Sequence, residues 1–427
     1  MPMQIIASVL AILVLVGLAV QSFQSLSLIR LFQKHQPTEV PDQQLPRCAV
    51  VLCLRGCDPD LDQHLESLLA QDYPDFHLYL VVDSHSDPAL AVVREVLSRE
   101  HNTNATIRIM EHHPTTCSLV ANNHATVLPE LAEEYPVLAL VDADAETWPT
   151  WLRTLVSPLI DSDLGMVYGN RWYMPTNATF ASLCRFIWNY GSVQQMVFFQ
   201  YPWGGSLAMK AELALQPEFR SQMSKSFGND TLMYSLAKNA GIKMAFHPGM
   251  MVVNREQIGF RDFFHWSTRQ ILFGRLYHPT WPLLLGNGVA TTLVIAASLV
   301  ANLVSLWTWN WPAFMTLFST LVLYWVVWVG FVMQLDKTVS SIVQQAHQTQ
   351  TDKQPRWWTA TVALKIFLIA PLVQFVFLAG LFRAAILRRT SWRGIDYQIN
   401  GPFDVKMEAY QPYRSNSSPI ESHKSIV

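Results

Sequence analysis

Residues 5–20 read IIASVLAILVLVGLAV, without a single charge. With Met3, Gln4, Ser22 and Phe23 on its flanks, the run reaches the roughly 20 residues that a bilayer helix needs. A secretory signal would open on basic residues and end at a small-residue cleavage site. Neither is evident, so residues 1–25 read as an uncleaved anchor. Arg30 and Lys34 follow the run and nothing charged precedes it. The positive-inside rule therefore predicts an N-terminus outside and residue 30 onward in the cytosol.

Three further apolar runs, at about 283–307, 311–334 and 361–382, put a membrane segment at 281–388. The first two are joined by Thr308-Trp309-Asn310, and Trp307, Trp309 and Trp311 sit where an aromatic belt belongs. Lys365, near a helix end, can snorkel. Three C-terminal crossings would send the tail outside. Yet that tail opens with Arg383, Arg388, Arg389 and Arg393, which prefer the inside. Either one run, such as that containing Pro371, does not cross, or an interfacial stretch is miscounted.

Composition narrows the class. Half of the 427 residues are apolar and 15% are charged, with 15 Trp and 22 Phe, and mean hydropathy is +0.17. That excludes a disordered chain, a coiled coil and a typical cytosolic enzyme. A net charge of −2 gives no basic field for nucleic acid. Five cysteines without a CxxC (three residues separate Cys53 from Cys57) read as free thiols, not a disulfide framework or zinc knuckle.

Pro37, Pro41 and Pro46 mark 26–47 as a linker, after which 48–280 alternates strand-like and helical stretches. Strands are expected at Cys48–Leu54, Phe76–Val82, 107–110 and Val137–Val141, with helices over 60–70, Pro88–Arg99 and 121–133. This alternation predicts an α/β fold with a mainly parallel sheet and right-handed crossovers. Ligands on such sheets bind beyond the carboxyl ends of the strands.

Asp83-Ser84-His85-Ser86-Asp87 follows the second strand, and Asp142-Ala143-Asp144 the fourth. One residue separates Asp142 from Asp144, so on an extended chain both carboxylates leave the same side. Two hard oxygen donors there suit Mg²⁺ or Mn²⁺, which also bind a diphosphate; a solvated acidic turn is the plain alternative. Gly204 and Gly205, in Trp203-Gly204-Gly205-Ser206, would let backbone approach a ligand closely. Asp230, in Phe227-Gly228-Asn229-Asp230, opens a helical stretch, where it either caps the helix or takes a proton from an acceptor hydroxyl. The sequons at Asn104 and Asn177 fall on the expected cytosolic side, and His112-His113 is a lone pair in a loop.

These residues, in this order, resemble family 2 glycosyltransferases, most closely the ceramide glucosyltransferase group. The resemblance rests on Arg55-Gly56-Cys57-Asp58-Pro59-Asp60-Leu61, Leu65-Glu66-Ser67, Asp72-Tyr73-Pro74 and Asp83 to Ala89. Ser391-Trp392-Arg393-Gly394-Ile395-Asp396-Tyr397 resembles the group's S-W-R-G-x-x-Y signature. It covers about residues 1–400; 389–427 reads as a juxtamembrane segment carrying that signature followed by a disordered tail, the last 25 residues being rich in Ser and Pro.

The resemblance implies a GT-A nucleotide-sugar-binding fold. It also implies a UDP-sugar donor and a membrane lipid acceptor whose hydroxyl is glycosylated with inversion. Asp83 matches the aspartate that contacts the uracil and ribose. Asp142 with Asp144 matches the one serving metal and diphosphate, and Asp230 matches the base. Trp266 keeps the last position of the (Q/R)xxRW motif, and would pack under the acceptor. His265 and Asp262 replace that motif's Arg and its leading Gln or Arg, while Val120 replaces a lysine ahead of Asn122-Asn123. Arg261 and Arg269 flank the motif and could supply the missing charge, since neutral histidine is a poorer anion partner than arginine. Trp188, Tyr190, Phe198, Phe199 and Tyr201 could line a lipid entrance or belong to the core. A processive polysaccharide synthase and a non-catalytic nucleotide-sugar or lipid binding protein are the alternatives; retained Asp230 speaks against the latter.

Overall fold

The computed structural model describes residues 2–37, 40–100, 104–160, 162–346 and 358–413. The chain begins with a 33-residue helix α1 (Pro2–Lys34) and enters the globular domain at β1 (Cys48–Leu54). There follow α2 (Leu61–Leu69), β2 (Phe76–Val82), α3 (Pro88–Arg99), β3 (Ala105–Ile109), α4 (Leu119–Ala132), β4 (Val137–Val141) and α5 (Trp151–Val156). The second half comprises β5 (Leu164–Tyr173), α6 (Phe180–Phe199), β6 (Ser206–Lys210), α7 (Ala211–Ala214), α8 (Pro217–Met223), α9 (Asp230–Asn239), β7 (Lys243–Asn254) and α10 (Phe260–Tyr277).

The strands form one sheet in the order β3-β2-β1-β4-β6-β5-β7. Only β6 runs against its neighbours β4 and β5. The expected α/β class with a mainly parallel sheet is therefore the observed one, and β1, β2 and β4 keep the expected bounds. These strands are almost wholly apolar, His77 of β2 excepted, because both faces are covered. Val50 and Leu52 point into one layer, with Leu65 of α2 and Val93 of α3. Ala49 and Val51 point into the other, with Leu128 of α4 and Leu232 of α9. Ser118 and Asp87 cap α4 and α3 through their side chains.

Past α10 come α11 (Trp281–Trp307), α12 (Trp311–Ala346) and α13 (Ala360–Ile386). With α1 they are four helices long and apolar enough to cross a membrane. Helix α1 runs parallel to α12. Gln4 hydrogen-bonds Thr316 near the Trp309 turn, and Gln21 accepts from Tyr324 further along. The last turns of α12 enter the domain, where Val332, Leu335 and Val339 pack with Trp172 and Phe186. Asp336 accepts from the indoles of Trp172 (2.8 Å) and Trp358 (2.6 Å).

Helix α13 contacts the globular domain near both of its ends. Near its start, Lys365 Nζ donates to the Ala178 carbonyl, 3.4 Å away. Near its end, the carbonyls of Ala384 and Ala385 accept from Arg275 Nη1 at 2.7 and 2.9 Å. Ala178 and Arg275 both belong to the globular domain, so both ends of α13 are tied to it.

After α13, β8 (Arg389–Trp392), β9 (Ile395–Gly401) and β10 (Asp404–Met407) form an antiparallel sheet. Its Ile395, Tyr397 and Met407 join the core containing Leu119 and Phe227. The tail beyond 413, read as disordered, lies outside the described residues.

Candidate active site

The carboxyl ends of β1, β2 and β4 open into a cavity of about 1030 Å³. Asp83, Asp142, Asp144, Gly204, Asp230, Trp266 and Arg269 all line it, as does Val120. Asp83 and Arg269, 186 positions apart in sequence, thus meet where the sheet topology sends them.

Asp83 ends β2 with 2% of its surface exposed. It pairs with Arg55 and accepts a 2.9 Å hydrogen bond from the Tyr410 hydroxyl. His113, from the pair read as featureless, donates to the Asp83 carbonyl (2.8 Å) and stacks on the Tyr410 ring at 3.8 Å. Arg55 Nη2 donates to the Gln411 carbonyl. The end of the described chain therefore lies over the Asp83 subsite.

Asp142 and Asp144 follow β4 and both accept from one nitrogen of Arg171, at 3.0 and 2.6 Å. Burial raises the Asp142 carboxyl above its usual range, and Arg171 works against that rise. The glycines behind the pair are dictated by space. A Cβ on Gly205 would fall 2.4 Å from Asp142 Oδ2 and 2.1 Å from the Trp203 ring. Gly204 donates its amide to Asp230 Oδ2 at 3.2 Å.

Asp230 is the first residue of α9. Its other oxygen accepts from the Thr231 amide at 2.7 Å, so it does serve the helix start. It serves the cavity as well, and burial raises its pKa against the pull of the Gly204 and Thr231 amides. A raised carboxylate is a better proton acceptor.

The broken (Q/R)xxRW motif divides by helix phase. Trp266, Arg269, Gln270 and Phe273 share the cavity face of α10. Trp266 packs edge-on to Trp188 at 4.8 Å. His265 and Arg261 lie outside that arc, exposed and off the cavity. Neither side chain lines the cavity, contrary to the place expected for them. Tyr190 is core, bonded to Ser25 at 2.6 Å.

The missing cations come from elsewhere. Arg269 is 8% exposed, and its Nε lacks a hydrogen-bond partner. No carboxylate among the described residues pairs with it. Burial, with Arg393 nearby, lowers its pKa to about 10. The Trp392 ring lies 5.2 Å away. A buried cation without a counter-ion is costly, and the cost is recovered when an anion enters. Arg269→Met should therefore raise the melting temperature of the ligand-free protein by about 2–4 °C, if about 1 kcal/mol is recovered. The same change should weaken UDP binding; a melt and a titration on one preparation check both.

Arg393 was overlooked as a site residue although its motif was recognised. It turns the β8–β9 hairpin with φ 47°, followed by Gly394 at φ 75°. Its Nη2 bridges both oxygens of Asp58 at 3.0 and 2.8 Å, and Nη1 donates to the Arg55 carbonyl. Burial raises Asp58 and Arg393 lowers it again. Arg171 was missed too, because one arginine in an apolar strand carries no local signal.

A divalent ion was expected at Asp142 and Asp144. The two carboxylates are the right donors. However, the guanidinium already stands between them, and among the described residues no cluster of three or more His, Cys, Asp or Glu could hold a metal. As they stand, these side chains do not fit a resident ion.

The cavity thus lies at the strand ends of a mainly parallel sheet joined to helices long and apolar enough to cross a membrane. The chain belongs to glycosyl transferase family 21, whose model matches residues 9–402. It is 31% identical over 114 residues to ceramide glucosyltransferase 1 of Caenorhabditis elegans, covering 26% of this chain and 23% of that protein. Against the ceramide glucosyltransferase of Komagataella phaffii it is 26% identical over 111 residues, covering 26% and 22%. The matches thus span under a quarter of those relatives. Among solved structures, a Pyrobaculum calidifontis mannosyltransferase in complex with GDP-Man and Mn²⁺ is similar over 90% of this chain and 98% of its own. The identity there is 15% and the TM-score 0.48, a likeness too slight to assign a ligand.

Proposed function

We propose that this protein is an inverting glycosyltransferase. It moves a hexose, glucose in the first instance, from a UDP-sugar to the hydroxyl of a membrane lipid such as ceramide. The observation that carries this reading is Asp230: a buried carboxylate on the cavity wall, oriented by two backbone amides, with buried arginines in the same cavity. A binding protein has no use for such a base.

The uracil and ribose lie against Asp83, and the diphosphate lies toward Arg269 and Arg393. The sugar's anomeric carbon faces Asp230, with Trp266 and Trp188 under the acceptor. The lipid oxygen attacks that carbon as the bond to the UDP oxygen breaks, and its proton passes to Asp230. UDP leaves with the bonding electrons, its charge met by the guanidinium groups. One displacement inverts the centre, so an α-linked donor yields a β-glycoside. Holding the reactants in line and neutralising the leaving group supply most of the acceleration. A cytosolic domain is supported by Arg30, Lys34, Arg388 and Arg389 through the positive-inside rule.

The test is turnover by detergent-purified protein. UDP-glucose, UDP-galactose and UDP-N-acetylglucosamine are offered with ceramide, diacylglycerol and a sterol, each with EDTA and with Mg²⁺ or Mn²⁺. A lipid β-glycoside is expected with at least one pair. Binding of UDP-sugar without product from any pair overturns the catalytic reading.

A further inference from the structure

We infer that Arg171 takes the place of the divalent cation, so that this protein binds its nucleotide diphosphate without Mg²⁺ or Mn²⁺. The inference rests on the reading of the cavity as a nucleotide-sugar site.

Its basis is the clamp between β4 and β5. Arg171 Nη2 reaches Asp142 Oδ2 at 3.0 Å and Asp144 Oδ1 at 2.6 Å, filling the space between the two carboxylates. Charge-assisted bonds of that length are among the strong ones. The guanidinium is not a loop residue folded in by chance. Arg171 lies within β5, its Cα paired with Val252 of β7, and its carbonyl accepts from Asn189 Nδ2 at 2.9 Å. On the other side the guanidinium rests on Trp203, 5.2 Å from the ring centre. Gly205, where any Cβ would meet both Trp203 and Asp142, keeps that stack in place.

Two consequences follow for an ion. The carboxylate pair has lost half of its −2 charge to the arginine, and the oxygens an ion would use are engaged. To bind there, an ion must expel a guanidinium whose side chain is only 13% exposed, into a cavity that already holds Arg269 and Arg393. For a diphosphate the arrangement is favourable. Only one of the two terminal nitrogens of Arg171 is used by the carboxylates, and a planar guanidinium suits phosphate oxygens. The carboxylates then act as the anchor that aims Arg171, not as metal ligands.

Full-length protein in detergent is titrated with UDP by calorimetry, once in EDTA and once with Mn²⁺, and Mn²⁺ alone is followed by electron paramagnetic resonance. Expected are UDP affinities that differ by less than about threefold and no Mn²⁺ bound by the wild type. Arg171→Ala should lose UDP affinity in EDTA by about tenfold or more and acquire one Mn²⁺ site that Asp144→Asn removes. Arg171→Lys, which keeps a cation in the clamp, guards against a folding defect and should bind UDP without metal. The inference is overturned if wild-type UDP binding needs Mn²⁺. It is equally overturned if the wild type binds an ion that Asp144→Asn abolishes, or if Arg171→Ala binds UDP in EDTA as the wild type does. No UDP binding under any condition defeats the nucleotide-site reading itself, and this inference with it.

Discussion

Asp230→Asn should lower turnover by about 10²–10⁴-fold, the range that general-base catalysis supplies. Asparagine keeps the shape, and its carbonyl can still accept from Gly204 or Thr231. Donor affinity should therefore change little while kcat collapses. The pH profile gives a second readout. Burial holds the Asp230 pKa above the ordinary carboxylate value, and the base works only when ionised. Wild-type turnover should fall as pH drops through that raised pKa, and the residual rate of the variant should lack this limb. Stability runs the other way. A folded-state pKa above the unfolded one favours the native state at low pH, and this contribution is lost as pH rises through the folded pKa. At pH 7.5 the asparagine variant should melt no lower than the wild type. A variant that keeps its turnover would show that Asp230 only starts α9.

Arg393→Ala should fail on two counts. It leaves Asp58, with a side chain 6% exposed, without its partner. Breaking a buried pair in this way costs about 3–5 kcal/mol. It also removes a charge from the leaving group, and losing one such electrostatic contact costs about 10²–10³ in kcat. The double variant Asp58→Asn/Arg393→Ala separates the effects. Removing the stranded carboxylate should restore most of the melting temperature and none of the turnover. If the double variant recovers both, Arg393 holds only the hairpin.

How far the sequence speaks for itself depends on the range of the interaction. Strands β1, β2 and β4 are almost wholly apolar runs, legible because a sheet covered on both faces leaves no alternation to confuse. Asp83, Asp142 and Asp230 are legible because they stand just past such runs or at a helix start. Helix α13 was ambiguous because hydropathy is the same for a helix that crosses and one that returns; its polar anchors at Ala178 and Arg275 are tertiary. His265 was placed by motif position, whereas burial follows the 100° step of α10, which turns it out of the cavity. Arg393 and Arg55 are 338 positions apart, and no spacing rule joins them. Arg171 looks like any strand residue until Asp142 and Asp144 are seen on either side of it.

The β8–β9 hairpin also fixes when this cavity exists. Arg393 closes a wall that begins at Arg55 and Asp58, yet it is synthesised after α11, α12 and α13. A nascent or truncated chain lacking it holds Asp58 unpaired and Arg55 without its Arg393 contacts, whatever the state of the sheet. Completion of the site is thus tied to completion of the chain and to the return of α13 to the domain.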